Sequence, residues 1–113
     1  MLTIERLNEY GADTKDGLAR CMGNEELYLR LVSSVALQSE FTRLSELIGS
    51  GDLKGAFEAS HALKGVLGNL ALTPLYLKVC ELTELLRAET DTDYGPLLSE
   101  ISALWTDLKN IVL

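Results

Sequence analysis

Proline is almost missing from this chain, occurring twice in 113 residues, and aromatic side chains make up only 6% of it. Strands alternate aromatic or β-branched residues with polar ones. No segment here alternates Val, Ile or Tyr in that way, which disfavours an open sheet and makes an all-α domain the economical reading. Cysteine is as scarce. Cys21 and Cys80, in a chain with no secretion signal, read as free thiols filling small apolar gaps rather than as a disulfide. With a single histidine in the sequence they leave no ligand spacing for a metal. No apolar run approaches the roughly 20 residues of a membrane span, and the N-terminus has no basic region followed by an apolar core, so a cytoplasmic location is expected.

Positive charge is in deficit too: 10 Lys and Arg against 17 Asp and Glu give a net charge of −7 and a pI near 4.6. Nucleic acid and anionic membrane surfaces both require clustered Lys and Arg to displace counterions, so neither is expected as a partner and another protein is. Also absent are a Gly-rich phosphate loop with a following Lys-Ser/Thr, an acidic metal cluster near the histidine and a Ser-His-Asp set, which argues against an ATP-dependent kinase or a hydrolase.

Hydrophobic residues nonetheless reach 47%. A chain of this length buries roughly two thirds of the surface its unfolded form exposes, so residues 1–113 are expected to fold as one domain without staples. Thr3 is placed to cap a short helix through about Asn8 that Gly11 ends in the left-handed conformation. After Asp13 a second short helix turns Leu18 and Cys21 inward and stops at Gly23. Asn24 then caps a long helix, with Glu25 and Glu26 at its positive end and Leu27, Leu31, Val35, Phe41, Leu44 and Ile48 as its buried stripe. Gly49-Ser50-Gly51 ends it, and so short a connection returns the next helix antiparallel beside it. That helix, starting near Leu53, gives way around Ala71-Leu72 to another, with Thr73 as N-cap, Pro74 in the first helical position and Leu75, Val79, Leu82 and Leu86 facing the core. Ala88 to Pro96 has no periodicity and reads as the longest loop. Leu97, Ile101, Leu104, Leu108 and Ile111 follow as an a/d heptad, with Trp105 beside them as a core or seam residue. The expected fold is an antiparallel up-down four-helix bundle whose short N-terminal helices cap one end.

The stretch Ser60-His61-Ala62-Leu63-Lys64-Gly65-Val66-Leu67-Gly68-Asn69-Leu70 holds the only histidine and two glycines inside a helical pattern. Leu53, Ala56, Phe57, Ser60, Leu63, Leu67 and Leu70 form the apolar or small stripe of an amphipathic helix. At about 100° per residue His61 falls roughly 130° from the stripe's centre, so its imidazole should face solvent. The same period puts Lys54 and Gly68 two turns below and above it, Gly65 one turn above, and Lys64 and Glu58 to the sides. A mid-helix glycine costs roughly 1 kcal/mol relative to alanine, so the pair wants an explanation, and close approach of another body supplies one. Lys64 offers a mobile charge for an oxyanion or phosphate, and the simplest chemistry for an exposed imidazole so placed is nucleophilic: a ring nitrogen accepts a group and passes it on.

His61-Ala62-Leu63-Lys64-Gly65, followed by Asn69-Leu70, resembles the signature of the histidine-containing phosphotransfer domain of multistep phosphorelays. The sequence departs from that signature at Val66 and Leu67, where small or hydroxylated residues are usual, and at Ala71, where a glycine usually follows the Asn-Leu pair. The resemblance implies a four-helix bundle whose histidine takes a phosphoryl group from the phospho-aspartate of one receiver domain and gives it to the aspartate of another. It implies that His61 is phosphorylated and that Lys64, Gly65 and Gly68 are its docking surroundings; Lys54 and Glu58, on the same surface by the helical period, are expected to dock with them. The implied partners are response-regulator receiver domains and a hybrid histidine kinase. No cofactor is expected in the chain, the divalent metal coming with the receiver, and a monomeric carrier without ATP-dependent activity is expected. No linker, repeat or low-complexity segment occurs, so the chain reads as a stand-alone domain rather than a fragment of a hybrid kinase. The alternative is a bundle that binds a receiver or another regulator without accepting phosphate; it predicts loss of the nucleophile, which this sequence retains.

Overall fold

Side-chain oxygens open the helices where the sequence supplies them. Thr3 accepts from the backbone N–H of Arg6, Asp13 from Asp16, Asn24 from Leu27 and Asp52 from Gly55, each satisfying a donor that a first turn leaves unpaired. In the computed structural model, which describes residues 1–38 and 40–113, these caps begin α1 (Ile4–Tyr10), α2 (Thr14–Arg20), α3 (Glu25–Ala36) and α5 (Leu53–Asn69). The remaining helices are α4 (Glu40–Gly49), α6 (Thr73–Arg87) and α7 (Gly95–Val112), and no strand occurs among the described residues. None of these helices is long and apolar enough to cross a membrane.

The long helix expected after Asn24 is two helices, α3 ending at Ala36 and α4 starting at Glu40, with Ser39 outside the described residues. Register explains the division. The buried residues of α3 are Tyr28, Val32, Val35 and Ala36, while Leu31 is 39% exposed. Continuing that face for two turns reaches positions 39 and 43, a serine and an arginine. Ending α3 lets α4 start in a new phase that buries Leu44, with Phe41, Leu47 and Ile48 packed against the core. Trp105 of α7 closes the junction: its indole N–H donates to the Ala36 carbonyl at 3.1 Å, and its ring stacks on Phe41.

α5 packs against α4 and, most extensively, α6; α6 packs on α7, and α7 on α3 and α1. One cluster of buried side chains, including Leu44, Leu63, Leu67, Leu75, Val79, Leu82, Leu86, Ile101 and Leu108, fills the space between them. The Tyr28 hydroxyl donates to the Leu70 carbonyl at 2.8 Å, and burial pushes this phenol up to about 12. α1 and α2 are tied on by the Tyr10 hydroxyl donating to the Leu104 carbonyl and by the Asp13 N–H donating to the Ala71 carbonyl, both at 2.9 Å. Thr73 does not cap α6. Leu72 occupies that position without a side-chain hydrogen bond, and the Thr73 hydroxyl turns back to the Ala71 carbonyl. Ala71 itself takes φ 53°, the left-handed conformation just past the end of α5 where glycine is the usual residue. Cys21 and Cys80 are both unpaired thiols.

Candidate functional site

α5 buries Ala56, Ser60, Leu63 and Leu67 along one side, and His61, Ala62, Gly65 and Val66 are exposed on the other. A hydroxyl pair directly before the histidine fixes how α5 faces α6. Ser60 Oγ and Thr83 Oγ1 lie 2.6 Å apart, both fully buried. The Thr83 hydroxyl donates to the Val79 carbonyl at 2.7 Å, so the Ser60 hydroxyl is the donor of the pair. A slip of either helix would strand a buried hydroxyl, which costs about 1–3 kcal/mol.

Two depressions lie along α5 near His61, which lines neither. Lys64, Gly65, Gly68 and Asn69 share one with Tyr76 and Leu77 of α6 and Asp16 and Arg20 of α2. Glu58, Ala62 and Val66 border the other, facing Arg43 and Leu47 of α4. The structure therefore brings Lys64 and both glycines into one depression and Glu58 into the other. Lys54, exposed in the first turn of α5, lines neither.

The two glycines differ in what surrounds them. A Cβ built at Gly65 meets nothing within 4 Å, whereas one at Gly68 would lie 2.9 Å from Tyr76 Cε1. Gly65 is open ground beside the imidazole. Gly68 is half-buried and makes room for an aromatic ring of α6 while lining the same depression as Gly65. Lys64 is half-buried and forms no ion pair among the described residues. Arg20, paired with Asp16 at 3.0 Å, reaches toward Asn69 Oδ1 at a long 3.5 Å. Two cations, Arg20 and Lys64, and two carboxylates, Asp13 and Asp16, thus border this depression.

Sequence periodicity places Phe57 in the buried stripe and gives it no part in the site. Phe57 is half-buried, and its ring stacks on the His61 imidazole with centroids 5.7 Å apart and planes inclined by 17°. Arg87 of α6, paired with Glu84, holds its guanidinium carbon 4.9 Å from the Phe57 ring centroid. The one-turn spacing of positions 57 and 61 was a readable signal; nothing in the sequence pointed to Arg87. No group of three or more His, Cys, Asp or Glu side chains is placed to hold a metal ion among the described residues.

An accessible imidazole with a free face, an adjacent position lacking a side chain and a lysine one turn away can act as a nucleophile toward a group carried in by a second macromolecule. Compared with known protein families, residues 33–111 match the Hpt domain. The match starts inside α3 and runs to the last turns of α7, leaving α1 and α2 outside it. No curated protein and no solved structure matches the chain.

Proposed function

The chain belongs to the Hpt domain family, whose members carry out histidine phosphotransfer in phosphorelays and interact with receiver domains, and on that premise we propose that it is a phosphoryl carrier acting through His61. The observation that carries the reading is the exposure of its only histidine on α5, within the matched segment and beside the open position Gly65. A ring nitrogen attacks the phosphorus of a receiver's aspartyl phosphate, the N–P bond forms, the P–O bond to the carboxylate breaks, and the aspartate leaves. The other ring nitrogen keeps its proton, so the phosphorylated ring is cationic. Reversal onto a second receiver regenerates His61. Lys64 lies one turn further along α5 and supports the charge of the phosphoryl oxygens, and Gly65 leaves room for the receiver's edge. Gly68 shapes that flank through Tyr76, while Lys54 and Glu58 meet the receiver at the periphery.

In this reading the chain has no ATP-dependent activity and no resident cofactor, the divalent cation belongs to the receiver, and the carrier works as a cytoplasmic monomer between a hybrid histidine kinase and its regulators. α3 with α4, α5, α6 and α7 are the four members of an antiparallel up-down bundle, a reading supported by the cycle of packing from α4 through α5, α6 and α7 back to α3. α1 and α2 lie across one end. The test is incubation with receiver domains from the same cell charged with acetyl phosphate. An acid-labile, alkali-stable adduct should form on the chain, and its absence with every receiver of that cell would refute the proposal.

A further inference from the structure

The geometry points to Phe57, braced by Arg87, as a positioning residue for the His61 imidazole; this rests on His61 being the phosphoryl acceptor. An exposed histidine on a helix is otherwise loosely held. Two χ1 wells are open to it in a helix, and χ2 is broad and roughly two-fold, so about four orientations compete. A receiver that delivers its phosphoryl group along one line can use only one of them.

Phe57 is placed to select it. It lies one turn before His61 on α5, where side chains of positions i and i+4 meet. The 5.7 Å centroid separation and 17° inclination are those of an offset stack. A stack covers a face of the imidazole, whereas both ring nitrogens lie on its edge, so Phe57 restrains the ring without obstructing the attack. The restraint has its own support. Phe57 is half-buried against the core, and Arg87 reaches across from α6 to within 4.9 Å of its centroid, within the range of a cation–π contact. Glu84 in turn holds Arg87 through its Nε at 3.2 Å. The chain of contact therefore runs from α6 through the phenyl ring to the nucleophile. A phenyl ring that served only to fill the seam between α5 and α6 would be replaceable by leucine, and the experiment turns on that difference.

Phe57→Leu, Phe57→Tyr and the parent chain are compared in three measurements. The first is the NMR position of the His61 ring protons, which the phenyl ring current displaces and leucine does not. The second is single-turnover transfer from a receiver charged with acetyl phosphate, as a function of receiver concentration. The third is labelling by phosphoramidate, a small donor that approaches the imidazole from any direction. In Phe57→Leu the ring protons are expected to lose their displacement. Transfer at saturating receiver is expected to slow about fourfold, the loss of one orientation among four, with the half-saturating concentration and the phosphoramidate rate unchanged. Phe57→Tyr is expected to restore the parent behaviour, and Arg87→Ala to move the ring protons in the same direction as Phe57→Leu. Parent-like transfer by Phe57→Leu at saturation, or unmoved ring protons, would overturn the inference while leaving His61 as carrier; unmoved protons in Arg87→Ala would overturn the brace. A parent chain that takes label from phosphoramidate but from no receiver would instead defeat the carrier reading itself.

Discussion

Alanine at Gly65 should raise stability and alanine at Gly68 should not, although the two positions lie one turn apart on the same helix. Both substitutions replace a mid-helix glycine, and each brings a propensity gain of roughly 0.4–1 kcal/mol. At Gly65 nothing lies within 4 Å of the new Cβ, so the gain stands. For a domain of this size it corresponds to a rise in Tm of about 2–4 °C. At Gly68 the new Cβ would sit 2.9 Å from Tyr76 Cε1, a rigid ring atom rather than the tip of a flexible chain. Displacing that ring is overpacking, which costs about 1–3 kcal/mol, so Gly68→Ala should leave Tm unchanged or lower it. Thermal unfolding followed by circular dichroism measures both, and Tyr76→Ala in the Gly68→Ala background should recover the helix gain through a coupling of the two sites. Gly65→Gln, which fills the open ground without touching the core, should fold as the parent does yet slow transfer from a receiver strongly, because about 1 Å of displacement at the reacting atoms costs on the order of a hundredfold. Equal shifts of Tm for the two alanine variants would refute the distinction, and parent-rate transfer by Gly65→Gln would refute the role given to the opening.

Alkaline unfolding should report on Tyr28. Its phenol ionises near the ordinary tyrosine value of about 10 when unfolded and is pushed up to about 12 in the fold, first by burial and then by the nearby Cys21, Asp13 and Asp16. The unfolded state therefore releases the proton first; the contribution is complete below about pH 10 and is lost between about pH 10 and 12, at about 1.4 kcal/mol per pH unit, a slope that urea titrations should find reduced in Tyr28→Phe. Glu89 holds φ 50° just past the end of α6, where its N–H and that of Thr90 donate to the Leu86 and Leu85 carbonyls. Glu89→Gly should relieve that left-handed strain and raise stability by about 1 kcal/mol, read as a higher urea midpoint with unchanged slope. Pure chain incubated with ATP and magnesium should take up no label, because the sequence contains no Gly-rich phosphate cradle; self-labelling would contradict a carrier role.

The helix bearing His61 was legible because its buried face repeats without interruption. Ala56, Ser60, Leu63 and Leu67 are all buried and His61 is exposed, as a single period through residues 53–70 requires. The division between α3 and α4 was hidden for the opposite reason. Leu27, Leu31, Val35, Phe41, Leu44 and Ile48 read as one stripe, and only the burial of Tyr28, Val32 and Ala36 reveals that the inward face of α3 is rotated from it, sharing Val35 alone among its buried residues. Partners distant in sequence were beyond a local pattern altogether. The Trp105 indole on the Ala36 carbonyl, Tyr76 over Gly68 and Arg87 over Phe57 each join residues that no helical period connects. The missing side chain at Gly68 reads in sequence only as room for a visitor; the structure adds the ring of Tyr76 as a neighbour that also needs the space.

A phosphoryl carrier must hold the group on the His61 imidazole between its departure from one receiver and its arrival on another. The direct measurement is to charge one receiver with labelled phosphate, add the chain, isolate the phosphorylated chain, locate the phosphoryl group by tandem mass spectrometry under alkaline conditions, and then add a second, unlabelled receiver. The group should be found on the His61 imidazole, should leave the chain as the second receiver becomes labelled, and should never appear on a His61→Gln variant that unfolds at the parent temperature. Label on the His61→Gln variant, or label on the parent that no receiver can take up, would contradict the carrier role.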